Sequence, residues 1–241
     1  MAAVQLLSSL AGQRAQRIDR VTAILPYAIV RDGACAPVDR GALGEAIVHI
    51  RSSGLQMIAG SEPEGRPTPD GFLQVVAAVH RETACVPMQL VQAMIDADAA
   101  VRLLCAGAAR FHGLLDLFDG AEEWSLKVEP LENAALLPEE VSQSDAGESG
   151  RDYLLRRRGE VAEAAGFPRQ LVPRLHDVCR RLAEHTRRVR LIPGRDACGS
   201  IVMLIDRGID ARGLAEPVAA DLAAATVLTG PWPPFSFTDP N

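Results

Sequence analysis

The residues in this sequence best suited to chemistry are a histidine and a cysteine one helical turn apart, His176 and Cys179, with His185 and Cys198 downstream. Imidazole and thiolate are the ordinary ligands of tetrahedral zinc, and the same pair would also serve as a nucleophile with its base. The spacing, however, matches no common zinc module. A nucleophilic cysteine further requires an orienting third group and an oxyanion hole, and the sequence carries no signature of either. The five cysteines, Cys35, Cys85, Cys105, Cys179 and Cys198, are odd in number and show no C-x-x-C spacing. They read as reduced, mostly buried thiols of a cytosolic protein. Neither a phosphate loop closing in Gly-Lys-Ser/Thr nor a G-x-G-x-x-G turn behind a strand is present, so no nucleotide cofactor is expected.

Two other features are suited to binding. Arginines cluster at Arg156, Arg157 and Arg158 and again from Arg180 to Arg190, and Arg174, Arg180, Arg181 and Arg188 fall opposite an apolar helix face. Such a stretch serves either an anionic partner or nothing more than a solvated face paired with the acidic run Glu139, Glu140, Asp145 and Glu148. Apart from Tyr153 it lacks the aromatics that stack on bases. The second feature is Gly230-Pro231-Trp232-Pro233-Pro234-Phe235-Ser236-Phe237, which gathers three of the chain's ten aromatics. Its prolines hold the backbone near polyproline II with little entropy left to lose, so Trp232, Phe235 and Phe237 are presented in fixed directions to an apolar groove. That groove belongs either to the chain itself or to a partner. Trp232 is expected to fill the chain's own groove, with Phe235 and Phe237 further out as partner contacts.

The elements that position these residues follow from pattern. The chain has 241 residues, 48% hydrophobic and 23% charged, with a formal net charge of −6. This composition excludes disorder over most of the length and disfavours a generic binder of nucleic acid or anionic membranes. Charges, Gln or Pro cut every apolar stretch short of a membrane span, and no basic region precedes an apolar one at the N-terminus, so the expectation is a protein neither secreted nor membrane-spanning. Residues 1–19 read as a loosely held arm with an apolar patch from Val4 to Leu10.

An α+β fold in two domains is expected. In the first, over 20–120, Val21 to Val30 forms a buried strand that Pro26 places at an edge or a bulge. Residues 46–50 and 55–59 form a hairpin around Ser52-Ser53-Gly54. Thr68 caps a helix carrying Phe72, Val75, Val76 and Val79 on one stripe, a short strand follows near Cys85-Val86, and one long helix presents Val101, Leu104, Ala108, Phe111, Leu115 and Phe118. A small mixed sheet completes that domain, and Asp119-Gly120 closes it. Over 121–229 the elements run as a strand with Trp124, Leu126 and Val128 inward, a helix capped by Ser149 and Asp152, and a helix with Leu171, Leu175, Val178 and Leu182 inward. Strands at 189–192 and 201–206, a helix over 214–224 and a strand at 226–228 follow, an order that spells a modified ferredoxin-like domain. Residues 230–241 form the tail, which Gly230 turns out of the sheet.

Leu228-Thr229-Gly230-Pro231-Trp232-Pro233-Pro234-Phe235-Ser236-Phe237 resembles the C-terminal signature of the gas vesicle protein GvpL/GvpF family, with Phe235 where the family usually has tyrosine. Tyr27-Ala28-Ile29-Val30, Ile58-Ala59, Val86-Pro87, Glu123 to Val128 and Gly150 to Leu154 fall in the family's order, and the likeness extends from about residue 20 to the end. One departure is that Met88-Gln89-Leu90-Val91 follows Pro87 where the family has a glycine turn; the spacer from Tyr153 to the Leu175 helix is also short. The resemblance implies two α+β domains, the second a modified ferredoxin-like fold. It also implies a non-catalytic accessory role, with no cofactor, in gas vesicles of the cytoplasm. The implied partners are the major shell protein and other gas vesicle accessory proteins, which would be met through Trp232, Phe235, Phe237, Arg180, Arg181 and Arg188. The competing reading is a cytosolic enzyme or sensor that binds a small molecule or metal at His176 and Cys179.

Overall fold

The computed structural model describes residues 23–34, 38–90, 95–130, 171–193, 199–222 and 224–238. The chain divides into two compact units, Met1–Asp119 and Gly120–Asn241.

In the first unit, β1 (Ile24–Arg31), β2 (Ile47–Ser52), β3 (Leu55–Ser61) and β4 (Val86–Pro87) form a sheet in the order β2-β3-β1-β4. Every neighbouring pair is antiparallel, so the sheet is not the mixed one expected. Pro26 does not make β1 an edge strand. The strand lies inside the sheet, and the register against β3 slips between Pro26 and Ala28, the bulge a missing N–H calls for. Ser53 (φ 55) and Gly54 (φ 72) make the two-residue turn of the β2–β3 hairpin, both in the positive-φ region that lets the strands keep their twist.

Helix α1 (Pro69–Glu82) starts as its sequence dictates: Thr68 Oγ1 accepts from the Gly71 N–H and Pro69 stands in the first turn. Its Phe72, Val75, Val76 and Val79 are buried. The expected long helix is two, α2 (Ala97–Ala106) and α3 (Ala108–Phe118). Gly107 breaks it, with φ −96 and ψ 6, while its N–H still donates to the Leu103 carbonyl. The Phe111 ring lies where a Cβ on Gly107 would stand, 2.4 Å away at its nearest atom. Leu104, Phe111, Leu115 and Phe118 of the expected stripe are buried, whereas Val101 is 37% exposed and Ala100 takes the buried place beside Leu104.

The second unit contains β5 (Ala121–Pro130), α4 (Leu171–Ala183), β6 (Arg188–Pro193), β7 (Gly199–Asp206), α5 (Ala211–Ala220) and β8 (Ala224–Trp232). Its sheet runs β6-β7-β5-β8, antiparallel throughout. Leu175, Val178 and Leu182 of α4 and Ala211, Ala215 and Val218 of α5 pack on Leu126, Val128, Ile201, Met203 and Ile205. Strand alternation sends Val202 and Leu204 to the opposite face, where they too are buried. The capping pair Ser149 and Asp152, Tyr153, Arg156 to Arg158, the acidic run and Cys198 lie outside the described residues.

β8 does not end at Leu228, and Gly230 does not turn the chain out of the sheet. Thr229 pairs with Ser125 and Trp232 with Glu123, so Gly230 and Pro231 together oppose the single residue Trp124 in a bulge. Gly230 has φ +142, and a Cβ there would lie 2.8 Å from the Trp124 ring and 3.0 Å from the Glu123 carbonyl. Only glycine fits that place.

Candidate functional site

The C-terminal segment is held by a carboxylate and a guanidinium from two strands. Glu123, on β5 and 6% exposed, accepts from the Ser236 backbone N–H at 2.8 Å on Oε2 and from the Ser236 hydroxyl at 2.7 Å on Oε1. Arg190 of β6 donates to the Ser236 carbonyl, so both polar ends of this residue's backbone are secured. The 3-10 turn Phe235–Phe237 therefore lies over the sheet face opposite the helices, the face of Glu123 and its cross-strand partner Leu204. Burial pushes the Glu123 carboxyl up to about 7, against the pull of the two Ser236 hydrogen bonds and of Arg190.

This anchoring reverses the expected roles of the aromatics. Phe237 is 1% exposed and is the residue that fills the chain's own apolar space, Phe235 is half-buried, and Trp232 is 37% exposed. The Trp232 indole N–H donates to Thr229 Oγ1 at 3.4 Å. The inversion follows from the bulge, which keeps Trp232 on the strand while the chain beyond it folds back over the sheet.

The arginines are dispersed among partners on the unit itself. Arg180 pairs with Asp177 at 2.6 Å and with Glu184 at 3.8 Å on α4, and Arg181 pairs with Asp221. Arg188 is exposed on β6, not on the helix with the others. All three stay on the surface, where such pairs are worth little to stability.

His176 and Cys179 sit on α4 with His176 exposed and Cys179 half-buried, and burial pushes the Cys179 thiol up to about 11. A thiol so placed is protonated at neutral pH and a poor nucleophile. Among the described residues, no three His, Cys, Asp or Glu side chains gather as a metal site would need. The more reactive thiol is one that spacing did not single out. Cys105, exposed at the end of α2, lies 3.0 Å from Ser52 Oγ and 3.7 Å from Ser53 Oγ, and these hydroxyls lower its pKa. Its partners are more than fifty residues away, so only the folded hairpin brings them together.

The model of the family "Gas vesicle synthesis protein GvpL/GvpF" matches residues 23–239. Gas vesicle protein L of Streptomyces sp. (strain CB03234) is 33% identical over 176 residues, which are 68% of this chain and 65% of that protein. The chain thus spans just under two thirds of that relative's length. Among solved structures, gas vesicle protein GvpF from Anabaena sp. PCC7120 superposes with a TM-score of 0.64 at 14% identity, covering 91% of this chain and 97% of that one. GvpF from Microcystis aeruginosa gives 0.64 at 12% identity, covering 90% and 99%. At those identities the structures speak for the fold. Among the described residues no helix is long and apolar enough to cross a membrane. With the family model spanning nearly the whole described chain, the protein belongs to the gas vesicle synthesis protein GvpL/GvpF family.

Proposed function

We propose that this chain is a non-catalytic accessory protein that binds the major shell protein and assists nucleation and assembly of gas vesicles, in the cytoplasm and as a minor component of the vesicle. Family membership over residues 23–239 carries the reading. The surface supports it in kind: the same unit exposes Trp232, Arg180 and Arg188, with Arg181 partly exposed, and so offers apolar and charged contacts to a subunit held before polymerisation. Phe237 is left out of that contact set, since it is spent on the chain's own fold.

The second unit is read as a modified ferredoxin-like domain. Its strand order β6-β7-β5-β8 and antiparallel pairing support this, because a split βαβ unit places its third strand between its first two. Residues 20–120 and 121–229 are correspondingly read as separate domains, an arrangement to which the two compact units lend support. The net charge of −6 agrees with a protein partner and not with nucleic acid.

The test is co-expression of the tagged chain with the major shell protein, together with deletion of its gene from the producing strain. Capture of shell protein on the tag and loss of vesicles on deletion are the expected results. Normal vesicles after deletion, with no shell protein captured, would overturn the reading.

A further inference from the structure

A sheet edge exposes backbone groups that only another strand can satisfy in register, and folded proteins blunt such edges with charge, proline or brevity. Among the described residues, three of the four sheet edges are blunted. β2 carries His49 and Arg51, β4 is two residues long and ends in Pro87, and β6 carries Arg188, Arg190 and Pro193. β8 is the exception. Its nine residues, Ala224–Trp232, contain no charge, proline enters only at Pro231, and Val227 stands 53% exposed. Among the described residues no strand pairs with its outer side.

A groove lies along the same edge. Leu126 and Leu228 form its floor on the sheet, and Ala215 and Ala219 keep its helix wall low because neither reaches beyond a methyl group. The volume is about 310 Å³. Arg212 and Glu216 rim it and face each other at 4.0 Å, so the groove asks for no net charge from its occupant.

We infer that β8 receives an extended, uncharged segment of the shell protein as an added strand, with every second side chain directed to the groove between α5 and the sheet. Backbone hydrogen bonding along Ala224–Thr229 supplies the register, and the groove selects a large aliphatic side chain, the division of labour found where peptides extend sheets. A second copy of this chain fits less well. Two six-residue edges meet over a strip roughly 20 Å long and one strand spacing wide, far below the roughly 1,200 Å² of a stable specific interface. A flexible segment needs no matching globular surface. The inference rests on the proposed function, since it names the site by which that partner is held.

The test uses the full chain co-expressed with the shell protein and two variants: Val227→Lys, which puts a charge on the edge, and Ala219→Met, which fills the groove from the helix. Each should retain less than a tenth of the parent's captured shell protein while melting within a few degrees of it. In the parent complex, amide exchange over 224–229 should slow at least tenfold. Undiminished capture by a stably folded variant, or unchanged exchange in the parent complex, would overturn the edge as the docking site while leaving the proposed function standing. If the parent itself captures no shell protein, the proposed function falls and this inference with it. Should both variants fail to fold, the exchange measurement on the parent decides.

Discussion

Glu123 and Ser236, 113 residues apart, are joined twice: one carboxylate takes both the backbone N–H and the hydroxyl of the serine. With Arg190 on the carbonyl of the same residue, three groups from β5, β6 and the tail converge on one turn of chain.

That carboxyl makes stability depend on pH. Its pKa rises from 4.5 to about 7 on folding, chiefly through burial, so folding takes up a proton between those values. The stability it contributes is therefore complete below about pH 4.5 and lost as pH rises through about 7. Denaturant titrations of the parent between pH 5 and pH 8 should show a loss of up to about 3 kcal/mol that Glu123→Gln lacks. Parallel pH profiles for the two proteins would contradict it.

Phe237→Ala should cost roughly 3–5 kcal/mol, the usual range for emptying a buried aromatic site. Trp232→Ala should cost less than about 1 kcal/mol, as befits a residue in large part exposed. Urea unfolding of both variants decides, and the opposite ranking would mean that the tail is not seated on the sheet as described.

The tail also shows where residue types stop being informative. Proline and aromatic content correctly marked this segment as ordered, but which aromatic turns inward depends on a bulge created by Gly230 and Pro231 against Trp124. A bulge shifts the facing of everything beyond it, and the pairing partner that reveals it lies about a hundred residues away. The two-residue hairpin turn and the Thr68 cap were legible because their signals are local. The break at Gly107 was not, since three-and-four spacing of apolar residues continues across it. For the candidate site, the arginines were visible in the sequence. Their partners Asp177, Glu184 and Asp221 were not among those expected, and the acidic run that was expected lies outside the described residues.

Gly230→Ala should destabilise the second unit by about 2–4 kcal/mol, because its Cβ meets ring and backbone at once in a conformation that side chains rarely adopt. Thermal melting reads this out. A variant that melts with the parent would show that Trp124 can move aside.

In the first unit, Leu104→Asp and Phe111→Asp should each unfold the domain or cost several kcal/mol, as each buries an unpaired charge. Val101→Asp, from the same apparent stripe, should stay within about 1 kcal/mol of the parent. Circular dichroism melts of the three variants check this, and a loss for Val101→Asp equal to the other two would show that Val101 faces the core.

Brief alkylation near pH 7.5, followed by peptide mass mapping, should label Cys105 well ahead of Cys179 and Cys85. The first is exposed with its thiolate favoured by Ser52 and Ser53, the second is pushed up to about 11 by burial, and the third is buried. Early labelling of Cys179 would return attention to the His176 pair.

Because β5 has β7 on one side and β8 on the other, and because Glu123 closes on Ser236, the second unit has its first strand waiting in the middle of a sheet whose last strand is made last. During synthesis the first unit holds every residue of its sheet once about residue 119 has left the ribosome. The second must stay open for roughly 120 residues more, on the order of ten seconds at ordinary elongation rates. Throughout that interval the open side of β5 and the apolar run Ile201–Ile205 of β7 are within reach of any chaperone or partner present at the ribosome, and only Ala224–Trp232, followed by Ser236 closing on Glu123, ends that exposure.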